Sequence, residues 1–173
     1  MDIKVALLKE HSKTQAQKIA EWAGQSDANF SALLDAFLNG DYRLTQRAAW
    51  SLGMVGLKYP QRIAPYLGIL INNLTKTGLH DAVKRNTVRL LQDMNVPEEY
   101  MGTLVDVCFG YLANPKEAVA VKVFSMSVLY NISKLHNDLK NELKLQIEGQ
   151  LDTGSAGFIN RGNKILKALD KLP

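Results

Sequence analysis

Cysteine is almost missing from this chain: Cys108 stands alone in the run Leu104-Val105-Asp106-Val107-Cys108-Phe109. One thiol closes no internal disulfide, so an oxidising compartment is neither needed nor indicated. Long apolar runs are missing as well. None approaches the roughly 20 residues of a membrane-spanning helix. The first apolar run, Val5-Ala6-Leu7-Leu8, is too short for the core of a secretory signal, and the expectation is a reduced, cytoplasmic protein away from membranes. The chain has no GxGxxG, no Walker-type lysine loop, no HExxH and no paired cysteines. His11, His80 and His136 are far apart and fall at turns or helix ends, which suits capping better than metal ligation. Cys108 reads as a small buried hydrophobe. Ser125 and Ser127 have no histidine at a spacing that would make a nucleophile–base pair. No catalytic residue, cofactor or metal is therefore expected. Period-two alternation is absent too, and the one Asn-Gly pair, Asn39-Gly40, ends a helix instead of turning a hairpin of strands.

What the chain does have is a repeat. Four segments superimpose without gaps, beginning at Leu44, Val83, Val121 and Phe158, with starts 39, 38 and 37 residues apart. Counting each first residue as zero, position four is small (Ala48, Thr87, Ser125, Gly162). Position eight is leucine (Leu52, Leu91, Leu129, Leu166), and position eleven is apolar (Val55, Met94, Ile132, Leu169). Offsets of 0, 4, 8 and 11 share one face of a helix, and the small residue lets a neighbouring helix approach. Between these inner helices the apolar spacing predicts outer helices at about 28–38, 61–76, 98–112 and 139–151. Two short helices at about 2–10 and 13–24 come first. Asn39-Gly40-Asp41, Thr77-Gly78-Leu79-His80-Asp81 and Thr153-Gly154-Ser155 read as stop-and-start signals between helices. Asn114-Pro115-Lys116-Glu117 reads as an N-cap, a proline at the first helical position and a capping-box glutamate. A single helical hairpin cannot bury its apolar stripe alone, whereas four or five stacked hairpins can.

Residues Asp41 to Gly53, Asp81 to Leu91 and Glu117 to Leu129 share an acidic residue, an apolar-basic pair, small residues and a leucine. The pattern resembles the HEAT-like/armadillo repeat superfamily over about 28–171. The resemblance implies an all-α, right-handed α-α superhelix. It would be a single domain over 1–173, with capping helices in 1–25 and repeats at about 28–58, 61–96, 98–136 and 139–171. The chain also resembles a group of small bacterial proteins labelled adenylosuccinate lyase. Members of that enzyme family are far longer, and their serine-rich catalytic loop has no counterpart here, so no lyase activity is expected.

Formal net charge is +4, and it divides by helix: the inner segments sum to +8 and the outer segments to −5. In HEAT-like stacks the inner helices line the concave face, so the resemblance implies a basic groove. At 100° per residue the side opposite the buried stripe is offsets 2, 6, 9 and 13. Those positions bring forward Trp50, Arg85, Arg89, Tyr130, Lys134, Lys164 and Lys167, with Arg43 and Arg47 flanking them. Arginine offers paired donors to carboxylate or phosphate, and aromatic faces can stack on bases or cations. Each residue also has a structural reading. Trp50 and Tyr130 could pack against a neighbouring hairpin, and Lys164 and Lys167 could form a solvated capping face. Lys84 and Lys122 could pair with Asp41 and Asp81 in a ladder between repeats.

The expected function is a non-catalytic binding or scaffold module whose basic concave surface holds an acidic protein segment or another anionic partner. The second reading is nucleic-acid binding, by resemblance to DNA-repair glycosylases built of HEAT-like repeats. The inner-face aspartate and tryptophans of that family cannot be matched here residue by residue, because Trp50 and Asp93 lie on different repeats.

Overall fold

The computed structural model describes residues 1–172. Among them the regular structure is wholly helical, without a strand, and no helix is long and apolar enough to cross a membrane. The chain forms two compact units, Met1–Asn95 and Val96–Pro173.

The first unit opens with α1 (Ile3–Lys9) and α2 (Lys13–Gly24), followed by the hairpin α3 (Asp27–Asn39) and α4 (Tyr42–Lys58). Each of these helices starts on a side-chain cap. Asp2, Ser12, Ser26 and Asp41 accept from the backbone N–H three residues on, satisfying a donor that the first turn leaves unpaired. Then come α5 (Pro60–Ile63), a 3-10 turn (Ala64–Tyr66), α6 (Leu67–Leu74) and α7 (Asp81–Leu91). The periodicity predicts one outer helix at 61–76. Pro65 instead sits in the 3-10 turn and breaks it, since proline lacks an N–H and crowds the preceding turn. Gly78, at φ 72°, makes the turn before α7 that a side chain would resist. His80 caps α7 through Nδ1, 2.9 Å from the Ala82 N–H. Helix α4 is central: it packs on α1, α2, α3 and α7. The core gathers Phe30, Leu33 and Phe37 of α3 with Ala48, Leu52 and Val55 of α4, all at most 3% exposed.

The second unit has α8 (Glu98–Ala113), α9 (Val119–Ser133), α10 (Leu139–Glu148) and α11 (Ala156–Leu169), with α9 packed on α8, α10 and α11. Its core joins Leu104, Cys108 and Leu112 to Val121, Leu129, Leu143, Ile147 and Leu169. The start of α9 differs from the expectation. Asn114-Pro115-Lys116-Glu117 forms a turn, with Asn114 Oδ1 accepting from Lys116 N at 3.0 Å, and the helix begins only at Val119. The repeat of buried offsets holds with two exceptions: Leu166 is half-buried, and Met94 lies beyond the end of α7.

Side chains from later segments close the C-terminal ends of earlier helices, whose last carbonyls have no partner within the helix. Gln15 donates to Ala6 O at 2.7 Å and Arg47 to Leu7 O at 2.9 Å. Asn29 reaches Trp22 O at 2.9 Å and Arg62 reaches Gly24 O at 3.2 Å. In the second unit Gln150 donates to Leu112 O at 3.0 Å. The Gln15 bond joins α2 to α1 within the first pair, and the others tie one hairpin to another.

Candidate binding surface

In the first unit α4 and α7 lie side by side because Gly56 removes a side chain from their contact. A Cβ there would stand 1.9 Å from Leu90 Cδ1. About one turn earlier, Gly53 does the opposite: a Cβ there would meet nothing within 4 Å. The space it leaves is a cleft of about 300 Å³, lined by Trp50, Gly53, Met54 and Leu57 of α4, Asn86, Arg89 and Leu90 of α7, and Lys13 of α2. Leu57 is 59% exposed at its edge. Trp50 is half-buried, its ring meeting the His11 ring edge-on at 5.4 Å and 82°.

The cations foreseen for this unit separate by environment. Arg43, Arg85 and Arg89 are exposed. Arg47 is half-buried; it donates to the Leu7 carbonyl and lines a small cavity shared with Trp50 and His11. Lys84 pairs at 3.3 Å with Asp81, one turn back on its own helix, and Asp41 caps its own helix. Of the cleft's lining, Lys13, Gly53, Met54, Asn86 and Leu90 are not among the side chains that the offsets bring forward. Lys13 opens a helix of a different hairpin, and Asn86 sits near the buried side of α7 by its offset.

In the second unit Lys134, Lys164 and Lys167 are exposed. Lys134 Nζ stands 4.5 Å from the centre of the half-buried Tyr130 ring and 2.8 Å from Asn131 Oδ1. Ser127, at an offset expected to be open, is buried and accepts from Arg161 Nη1 at 2.5 Å, joining α11 to α9. Lys122 is 7% exposed, and its ammonium donates to Gln150 Oε1 at 2.7 Å. Burial pulls its pKa below the ordinary lysine range, with Glu117 acting in the other direction. It lines a second cavity of about 370 Å³ with Glu117, Gln150, Ser155 and Phe158. Burial pushes the Cys108 thiol up to about 12, Ser125 opposing weakly, so the reactive thiolate is suppressed.

Among the described residues no group of three His, Cys, Asp or Glu side chains is placed to hold a metal ion. His80 is committed to its cap, and His136 Nε2 lies 3.2 Å from Glu98 Oε1. No curated protein and no solved structure matches the chain. A family model, the HEAT repeat domain, matches residues 3–169, almost the whole length over which the capped hairpins and in-phase inner helices run. By that match the chain belongs to the HEAT repeat family.

Proposed function

We propose that the chain is a non-catalytic protein-binding module whose inner helices present cations to an acidic segment of a partner protein. HEAT repeats generally mediate protein–protein interactions, and the family typically serves as scaffold. The observation that carries the finer reading is the segregation of charge. Arg43, Arg85 and Arg89 stand exposed on α4 and α7, and Lys134, Lys164 and Lys167 on or just past α9 and on α11. Exposed guanidinium groups are weakly hydrated paired donors that match carboxylate geometry, and cationic surfaces speed the encounter with an anionic partner.

The test is fluorescence anisotropy with a dye-labelled polyglutamate peptide at low salt. Arg85→Ala combined with Arg89→Ala weakens binding several-fold while the melting temperature stays close to that of the parent. Unchanged affinity refutes the reading. A large loss of stability assigns these arginines to the fold instead. Duplex and single-stranded DNA serve as competitors. DNA that displaces the peptide, with an affinity falling steeply as salt rises through counterion release, would move the assignment to nucleic acid.

A further inference from the structure

We propose, resting on the acidic-segment reading above, that the cleft between α4 and α7 is a subsite. It receives one large apolar side chain of the partner segment, while Asn86 holds that segment's main chain. The walls are apolar where a side chain would enter: Trp50, Met54, Leu57 and Leu90. Leu57 stands 59% exposed, and covering it removes apolar surface from water. The mouth is open because Gly53 carries no side chain. At about 300 Å³ the space is at the small end of ligand cavities. It suits one residue of a chain better than an extended cofactor.

Asn86 supplies the polar element. It is 9% exposed, lines the cleft, and its side-chain amide makes no hydrogen bond to another described residue. A side-chain amide carries both donors and an acceptor. A peptide unit offers the complementary carbonyl and N–H together. Lys13 and Arg89 flank the cleft from two helices, and no carboxylate lines it. The residues on either side of the inserted side chain are therefore acidic.

The experiment uses the whole chain and a panel of short dye-labelled peptides. Glutamates flank one central residue, which is leucine, isoleucine, methionine, phenylalanine or tryptophan, and each peptide is paired with a serine-centred twin. At least one apolar-centred peptide binds about tenfold more tightly than its twin, the factor expected from burying one such side chain. Gly53→Leu fills the cleft and erases that preference without lowering the melting temperature; Gly53→Met does the same. Asn86→Asp keeps the shape but adds a negative charge, and it weakens the apolar-centred peptides most. Arg85→Ala, outside the cleft, weakens both twins equally.

The inference is overturned if no apolar-centred peptide outcompetes its twin, or if the preference survives both Gly53 substitutions. Equal binding of all acidic peptides, lost with the Arg85 and Arg89 substitutions, removes the subsite and leaves the broader reading intact. Failure of every acidic peptide removes both. Single-stranded DNA that binds the parent but not Gly53→Leu reassigns the cleft to a stacked base.

Discussion

Arg43 and Arg47 stand about one turn apart on α4, and their surroundings give them different work. The Arg47 guanidinium donates to the Leu7 carbonyl at 2.9 Å in a half-buried place, while Arg43 is exposed. A hydrogen bond from a charged group is worth about 1.5–3 kcal/mol, and an exposed side chain away from such contacts moves stability by no more than about 0.5 kcal/mol. Urea unfolding should therefore find Arg47→Ala destabilised by about 2 kcal/mol and Arg43→Ala near the parent. Equal losses would remove the tie between α4 and α1 as a source of stability. Nothing in the sequence near Arg47 announces this bond, because its partner is a carbonyl 40 residues away and backbone acceptors leave no mark in composition. Cys108 was legible, since a lone thiol within an apolar run is a small hydrophobe. Ellman's reagent should leave it unmodified in the native protein near pH 8 and modify it on adding denaturant. Prompt native labelling would contradict its burial. Its pKa is raised on folding, so its stabilising contribution is complete below the unfolded value of 9.0 and is lost as pH climbs toward about 12.

Along α4 two glycines, three positions apart, pull in opposite directions. Gly56 lies where Leu90 crosses, and a Cβ there would stand 1.9 Å from Leu90 Cδ1. Gly53 faces open space, and glycine inside a helix costs about 0.5–1 kcal/mol relative to alanine. Gly53→Ala should therefore stabilise by up to that amount, and Gly56→Ala should destabilise by about 1–3 kcal/mol through overpacking between α4 and α7. Thermal unfolding of the two variants decides it. If Gly56→Ala is as stable as Gly53→Ala, the close approach of these helices is not what Gly56 provides. The inner helices were legible because a stripe at offsets 0, 4, 8 and 11 shares one face of a helix but not of a strand, where offset 11 would turn to the other side. Where local chemistry competes with periodicity, the sequence misleads. Pro65 interrupts a run whose apolar spacing continues across it, and Asn114 turns onto Lys116 N instead of starting α9. The cleft was half legible. Trp50 and Arg89 followed from their offsets. Asn86 did not, because a polar residue near a buried stripe differs from an ordinary packed one only once the cleft beside it is known.

At the scale of the whole chain the repeat explains why stability is distributed. Within each unit, hairpins bury their stripes against one another and side chains such as Arg47 and Gln150 cap a helix of another hairpin, so stability accumulates from near contacts instead of one distant core. The division at Asn95 and Val96 makes this testable. The Met1–Asn95 unit contains its own core around α4, its own side-chain caps on α1 to α4, and every residue lining the cleft. At 95 residues it falls in the range where a chain can bury enough surface to fold alone. Expressed by itself, this segment should show a helical far-ultraviolet circular dichroism spectrum and one cooperative thermal transition. Arg47→Ala should lower that transition as it does in the whole chain, because Leu7 and Arg47 both lie within the segment. A non-cooperative melt, or a spectrum without helix, would mean that the core around α4 is insufficient on its own. A cooperative melt indifferent to Arg47→Ala would mean that the cross-hairpin cap contributes nothing, and that apolar packing alone joins α1 to the rest.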